Sequence, residues 1–259
     1  MAERSGRQEF MWSALALVLG AVPIWMLLFG GMAAMHSMGM TMADVYSKPP
    51  DKSMMMPMMQ AIHGFMKSYI PYVLLPATVG LFLLWGYASR NYPRLANRIG
   101  AGLAAGFIAA LGLDAVRLIG VKLGAFPGDM PTMMGQMITG QMSKSVFVLL
   151  AGYTYHLLFN GATFGLMYTL LAGKARWGWG VAWGLFFELG MMTMPPVAMM
   201  TGPFGIFGFW PRLFIASLLA HIAFGGILGV LAYRWVRDRG TIFSLLTEAP
   251  TRPELARVA

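Results

Sequence analysis

The sequence predicts an all-α integral membrane protein with six transmembrane helices. Three observations carry that prediction. Only 11% of the 259 residues are charged and 58% are hydrophobic, whereas soluble domains carry about 25% charged residues. Apolar runs of about 20 residues recur along the chain, the length that crosses a bilayer as a helix with its backbone groups bonded internally. The alternating segments of a membrane barrel are absent. Basic residues crowd into short stretches between the apolar runs, as they do in cytoplasmic loops of inner-membrane proteins. That placement accounts for the net charge of +9. No basic stretch is long enough to track a phosphate backbone, so nucleic acid is not expected as a partner.

The elements follow in order. Residues 1–10 form a polar tail with Arg4 and Arg7, and the first apolar run is Met11 to Gly31. A signal peptide competes for this run, with Ala33 and Ala34 at the cleavage point. Its apolar region is about 7–15 residues long, shorter than this run, so a retained helix is expected. Met32 to Lys67 is a long outside segment, broken by Ser47-Lys48-Pro49-Pro50-Asp51. Within it, Ser53 to Met66 reads as a short amphipathic helix lying on the membrane surface. The second transmembrane helix spans Tyr69 to Ala88, and RNYPRLANR, with Arg90, Arg94 and Arg98, is an inside loop. The third is Ile99 to Ile119, followed by an outside loop from Gly120 to Lys144. The fourth is Ser145 to Leu171, after which Lys174 and Arg176 mark another inside loop. The fifth runs from Trp179 to about Met194 and is stopped by Pro195-Pro196, since proline cannot continue a helix. Val197 to Pro211 is the third outside loop, and the sixth helix is Arg212 to Tyr233. The tail becomes polar and Pro-containing, with disorder expected at its end.

With both termini in the cytoplasm, twelve Lys and Arg fall inside and seven fall outside or at outer helix ends. The bias has the sign expected of a multi-pass protein of a bacterial inner membrane. Trp12, Trp85, Trp177, Trp179 and Trp235 fall near inner helix ends and Trp210 near an outer one, as an interfacial belt would. The organisation expected is residues 1–96 with two helices and the Met-rich segment 32–67, a four-helix unit at 97–240, and a cytoplasmic tail at 241–259.

On this map the methionines are one-sided. Twenty-one of 25 lie in outside segments or outer helix ends, all but Met1, Met11, Met26 and Met167. Methionine used as apolar filler would be scattered through all six helices. Eleven lie between Met32 and Met66, and smaller clusters lie at 130–142 and 191–200. The chain has no cysteine, which removes disulfides, thiolate sites and iron–sulfur clusters. Soft-metal chemistry would then rest on thioether and imidazole. Thioether is a neutral, soft ligand suited to Cu(I) and poor for zinc, magnesium or calcium. Met35, His36, Met38, Met40 and Met42 place ligands at short intervals in a flexible stretch. Met54, Met55, Met58, Met59 and His63 offer a second set. The plain alternative is a pliable apolar surface.

The intramembrane polar residues suggest an internal repeat. Glycines recur four apart at 102/106, 161/165, 180/184 and 225/229, the spacing that lets helices approach closely. The third helix carries Asp114 and the fourth His156; the fifth carries Glu188 and the sixth His221. Helices 3–4 and 5–6 therefore read as two related hairpins, each with an acid on its first helix and a histidine on its second. His156, His221 and Glu188, with Asn160 on the His156 face, fall at similar depth. A metal or proton site is one reading, and hydrogen bonds across the bundle are the other. Two histidines on separate helices could also ligate haem, though nothing else in the sequence asks for one. Asp114 and Arg117, three apart, read as a local ion pair.

The span Asn97 to Tyr233 resembles an uncharacterised family of small four-helix bacterial inner-membrane proteins. The resemblance rests on NRIGAGLAAGFIAALGLDAVR, YHLLFNGATFGLMY, GWGVAWGLFFELGMMTMPP and HIAFGGILGVLAY. It covers about half the chain and implies fold and location, not chemistry.

No nucleophile–base pair, phosphate loop, dinucleotide fingerprint or metalloprotease helix motif is present, which argues against an ordinary hydrolase or a nucleotide-driven pump. The function expected is handling of a soft metal ion, foremost Cu(I), at the periplasmic face. One alternative is an accessory subunit of a larger membrane complex, docking on a membrane-protein partner or a second copy through its Met-rich face. Another is a membrane oxidoreductase with haem or a metal.

Overall fold

The computed structural model describes residues 6–49 and 51–247. The expected tail disorder, Pro50 of the breaker, and Arg4, Arg252 and Arg257 of the inside set lie outside these residues. The described chain is all helical, without a strand. Four helices are long and apolar enough to cross a membrane: Gly6–Ser37, Met55–Asn91, Pro93–Lys122 and Arg212–Trp235. A fifth candidate is Trp177–Thr193 with Val197–Gly205, two pieces bent by 56°.

α1 (Gly6–Ser37) has 32 residues, about 48 Å at 1.5 Å per residue. A hydrocarbon core is about 30 Å thick, so α1 overruns a membrane. The expected end at Gly31 is therefore corrected: the helix carries on into the methionine segment through Met32, Met35 and His36. The second long helix overruns too. α3 (Met55–Tyr69) and α4 (Leu75–Asn91) are joined without a break by a π-helical stretch, Ile70–Leu74. Pro76 lacks the N–H that would bond the Tyr72 carbonyl, so the ladder slips by a residue and the helix continues. The surface helix expected at 53–66 is instead an extension of the second span. Between the two extensions, α2 (Met42–Ser47) is a short helix with a complete capping box, Thr41 and Asp44 each bonding the other's backbone.

The inside loop expected at RNYPRLANR is also shorter than the sequence suggests. α5 (Pro93–Lys122) starts immediately after Tyr92, with Pro93 in its first turn. Arg94 and Arg98 are thus helical. Arg94 bonds Glu9, and Arg98 binds Asp238 and the carbonyls of Leu170 and Gly240. This arginine end ties α1, α5 and the segment after the last helix together.

α6 (Met130–Thr139) is capped by Asp129 and ends at Gly140, whose φ of 71° suits a residue without Cβ. Residues 146–172 are helical throughout: α7 (Val146–Thr154), a π-helical stretch at Tyr155–Gly161, and α8 (Ala162–Ala172). α9 (Trp177–Thr193) stops before Pro195, and α10 (Val197–Thr201) turns away from it. α11 (Arg212–Trp235) and the short α12 (Ser244–Thr247) complete the described residues.

The glycine spacing makes two matching contacts. A Cβ on Gly106 would lie 2.3 Å from the Gly161 carbonyl, and one on Gly165 would lie 2.3 Å from that of Gly102. Between α9 and α11, a Cβ on Gly180 would lie 2.3 Å from the Gly225 carbonyl. Both pairs pack backbone to backbone. α11 also packs on α5, with Ala220, Phe224 and Leu228 against Ala105, Ala109 and Leu113 in one core.

Candidate functional site

The methionine end is one structure assembled from all three clusters. Met58, Met59, Met66, Met134, Met137, Met199 and Met200 are buried in a single apolar core. Met35, Met38, Met40, Met130, Met133 and Met142 pack against it. The two overrunning helices, α6 and α10 supply most of these side chains, and the segments after α1 and α6 supply Met38, Met40 and Met142. Tyr46 of α2 donates to the carbonyl of Thr193 over 2.7 Å and fastens α2 to the end of α9.

A cavity of about 290 Å³ opens at this end. Five thioethers from the first segment line it, those of Met38, Met40, Met54, Met55 and Met58. Met199 and Met200 of α10 line it too. Asp44, Lys48 and Asp51 add charge to the lining. Asp44 accepts from Lys48 Nζ at 2.7 Å and from Thr41 Oγ1 at 2.6 Å. These bonds hold its carboxyl well below the usual carboxylate range, Lys48 contributing most. Asp51 is lowered as well, chiefly by the backbone N–H of Ser53 at 2.8 Å. The cavity thus offers soft neutral sulfur beside the ionised Asp51 and the Asp44–Lys48 ion pair.

The expected ligands divide into those at the cavity and those elsewhere. Met35 and Met59 pack into the apolar core rather than line the cavity. Met42 is half-buried at the start of α2 and His36 is exposed at the end of α1. Neither lines the cavity. His63 has a different job. Its Nδ1 lies 3.1 Å from the carbonyls of both Met137 and Ile138. Both neighbours are acceptors, so Nδ1 carries the proton and satisfies the end of α6. Its Nε2 faces Gly140, where a Cβ would sit 2.6 Å away. Reading the first two methionine sets missed Met199 and Met200 as partners of Met38 to Met58, because only tertiary folding brings α10 beneath them.

Deeper in the bundle the four acid and histidine residues form two pairs. His156 Nε2 donates to Asp114 Oδ1 at 3.1 Å. His221 Nδ1 lies 2.8 Å from Glu188 Oε2 and donates to the Ser217 carbonyl at 2.9 Å. His156 thus meets the acid of α5, and His221 of α11 meets the acid of α9. Among the described residues no group of three or more His, Asp or Glu is placed to hold a metal. The single His156, His221 and Glu188 centre weighed from depth alone is therefore not what this geometry assembles.

The two pairs differ in their surroundings. Asp114 also accepts from Arg117 Nε at 2.7 Å, and Arg117 goes on to bond Asp129, which accepts from Thr132. The local ion pair expected from sequence is the centre of a larger network. Glu188 is fully buried, and Ser217 Oγ donates to its Oε2 at 2.8 Å, yet its Oε1 has no hydrogen-bond partner among the described residues. Asn160, on the π-helical stretch, is buried with its Oδ1 unpartnered. No family model, curated protein or solved structure matches this chain.

Proposed function

We propose that this chain is a six-span protein of a bacterial inner membrane that captures a soft monovalent metal ion, Cu(I), in the methionine cavity at its periplasmic face. The observation that carries the reading is the cavity itself. Seven thioethers from two segments separated by more than half the chain line one space. Thioether sulfur matches Cu(I) and is a weak ligand for hard divalent ions. It brings no charge, so the ion's charge needs an anion nearby, and Asp51 provides it, Asp44 being paired with Lys48.

Supporting the six-span topology, residues 146–172 are helical throughout and apolar, and the bent pair α9–α10 counts as the fifth span. The glycine contacts support pairing of helices 3–4 and 5–6 as related hairpins. The inside bias of Lys and Arg supports cytoplasmic termini.

The test is a Cu(I) titration of the purified full-length protein in detergent against a competing chelator. Replacing Met38, Met40, Met54 and Met55 by Leu keeps side-chain bulk and removes sulfur. The expected result is loss of the chelator-competitive ion. Unchanged binding in this variant overturns the capture role. A second reading, a pliable docking face for a membrane-protein partner, draws on the exposure of Met32, Met56 and Met194. A stable co-purifying protein without bound metal would favour it.

A further inference from the structure

A second, smaller cavity measures about 20 Å³, room for about one water-sized occupant. Met130, Met191, Met192 and Met200 line it with Ser217, Thr201 and an apolar wall that includes Phe126 and Leu213. Met200 lines the outer cavity as well, so one side chain is common to both. Ser217 lies one hydrogen bond from the fully buried Glu188. Met192 follows Glu188 by four residues on α9 and shares its face.

Glu188 also departs from its counterpart in the other hairpin. Three residues after Asp114 comes Arg117, which bonds it; three residues after Glu188 comes Met191. One acid therefore has a guanidinium in place, while the other has a thioether at the same spacing and an unpartnered Oε1. A buried acid left without a full set of partners is costly in a bilayer and marks a functional site there. Stability alone does not account for that combination.

We infer that this inner cavity is a second soft-cation site, with Met191, Met192, Met130 and Met200 as thioether donors and Glu188 as the counter-charge behind Ser217. The inference rests on the capture reading above and extends it. An ion leaves the outer cavity by way of Met200, the thioether that faces both spaces. Thioethers hold it in the inner cavity, and the Glu188 carboxylate, with Ser217 and His221 orienting it, balances its charge.

Ag(I), a soft monovalent ion with no second oxidation state in water, is the probe. The full-length protein in detergent is dialysed to equilibrium against Ag(I), and metal per protein is measured by elemental analysis. The native chain is expected to hold two ions. M191L/M192L is expected to lose one and keep the other. E188Q keeps the side-chain shape and is expected to weaken the same ion about tenfold, the scale at which supporting groups act on metal affinity. Retention of the outer ion in both variants reports that they fold. If the native chain binds one ion, and the Leu variant of Met38, Met40, Met54 and Met55 abolishes it, the inner site is refuted and the outer one stands. If the native chain binds none, the capture reading fails and this inference falls with it.

Discussion

Replacing Gly106 by Ala tests the packing that brings the Asp114 helix against the His156 helix. An added Cβ would lie 2.3 Å from the Gly161 carbonyl oxygen and 2.8 Å from Gly165 Cα and N. All three atoms are backbone of the facing helix, so no side chain can swing aside. Relief requires α5 and α8 to separate by about an ångström, which opens the core that interiors otherwise keep close-packed. Overpacking costs about 1–3 kcal/mol and at times more, while Ala gains up to about 1 kcal/mol over Gly within a helix. Taking the upper part of the first range, a rigid backbone clash leaves a net loss of about 2 kcal/mol. Gly86 on α4 is the matched control, because a Cβ there meets nothing within 4 Å. G86A is therefore expected to gain up to about 1 kcal/mol. Unfolding midpoints in a graded series of denaturing detergent give the two values. If G106A is as stable as the native chain while G86A behaves as expected, the α5–α8 contact is not backbone to backbone and the paired-hairpin packing is wrong.

Two further outcomes follow from the cavity and its surroundings. H63A removes the donor to the Met137 and Ile138 carbonyls, and should lower stability by about 1–2 kcal/mol while leaving Cu(I) stoichiometry unchanged; loss of an ion in a stable H63A protein would return His63 to the ligand set. Asp44 has a folded-state pKa below its unfolded value, so its contribution is present above the unfolded pKa and is lost as pH falls through the folded one. Amide exchange over residues 41–48 should stay slow through mildly acidic pH and quicken only in strong acid, whereas D44N should exchange fast throughout; equal protection in D44N and native protein would show that the capping box does not hold α2.

Much of the fold was legible because membrane helices announce themselves locally. Apolar length, Pro195-Pro196 and the four-residue glycine spacing each depend on neighbours in sequence, and the elements they mark are present at those places. Three features were not legible for a common physical reason. An amphipathic stretch such as Met55 to Met66 has the same periodicity whether it lies flat or continues a span; only its packing on α1 and α6 decides. The extension of α1 to Ser37 likewise depends on what covers Ala34 and Met35. The helices that carry His156, His221 and Glu188 were readable, but azimuth was not, so the sequence left open which acid meets which histidine. Individual methionines were the hardest to place. Their side chains are interchangeable to any local rule, and Met58 and Met59 are both buried in the core, yet one residue's rotation along α3 brings only Met58 to the cavity wall.

The assembly of the methionine end depends on two breaks far apart in sequence. α9 ends where Pro195 and Pro196 supply no N–H for the next turn, and the chain bends by 56° into α10. For α10 to lie under the first methionine segment, Pro195 must come up against α1. The contact falls on Gly31, where a Cβ would lie 2.7 Å from Pro195 Cβ and 2.8 Å from its carbonyl carbon. Gly31 is also the last residue of the apolar run, the point at which α1 leaves the bilayer-length core and the methionines begin. A residue with any side chain there would hold the proline turn away and withdraw Met199 and Met200 from the cavity wall. The glycine that marks the end of one apolar run and the proline pair that ends another are therefore two halves of one joint. That joint turns separate methionine clusters into a single thioether-lined space.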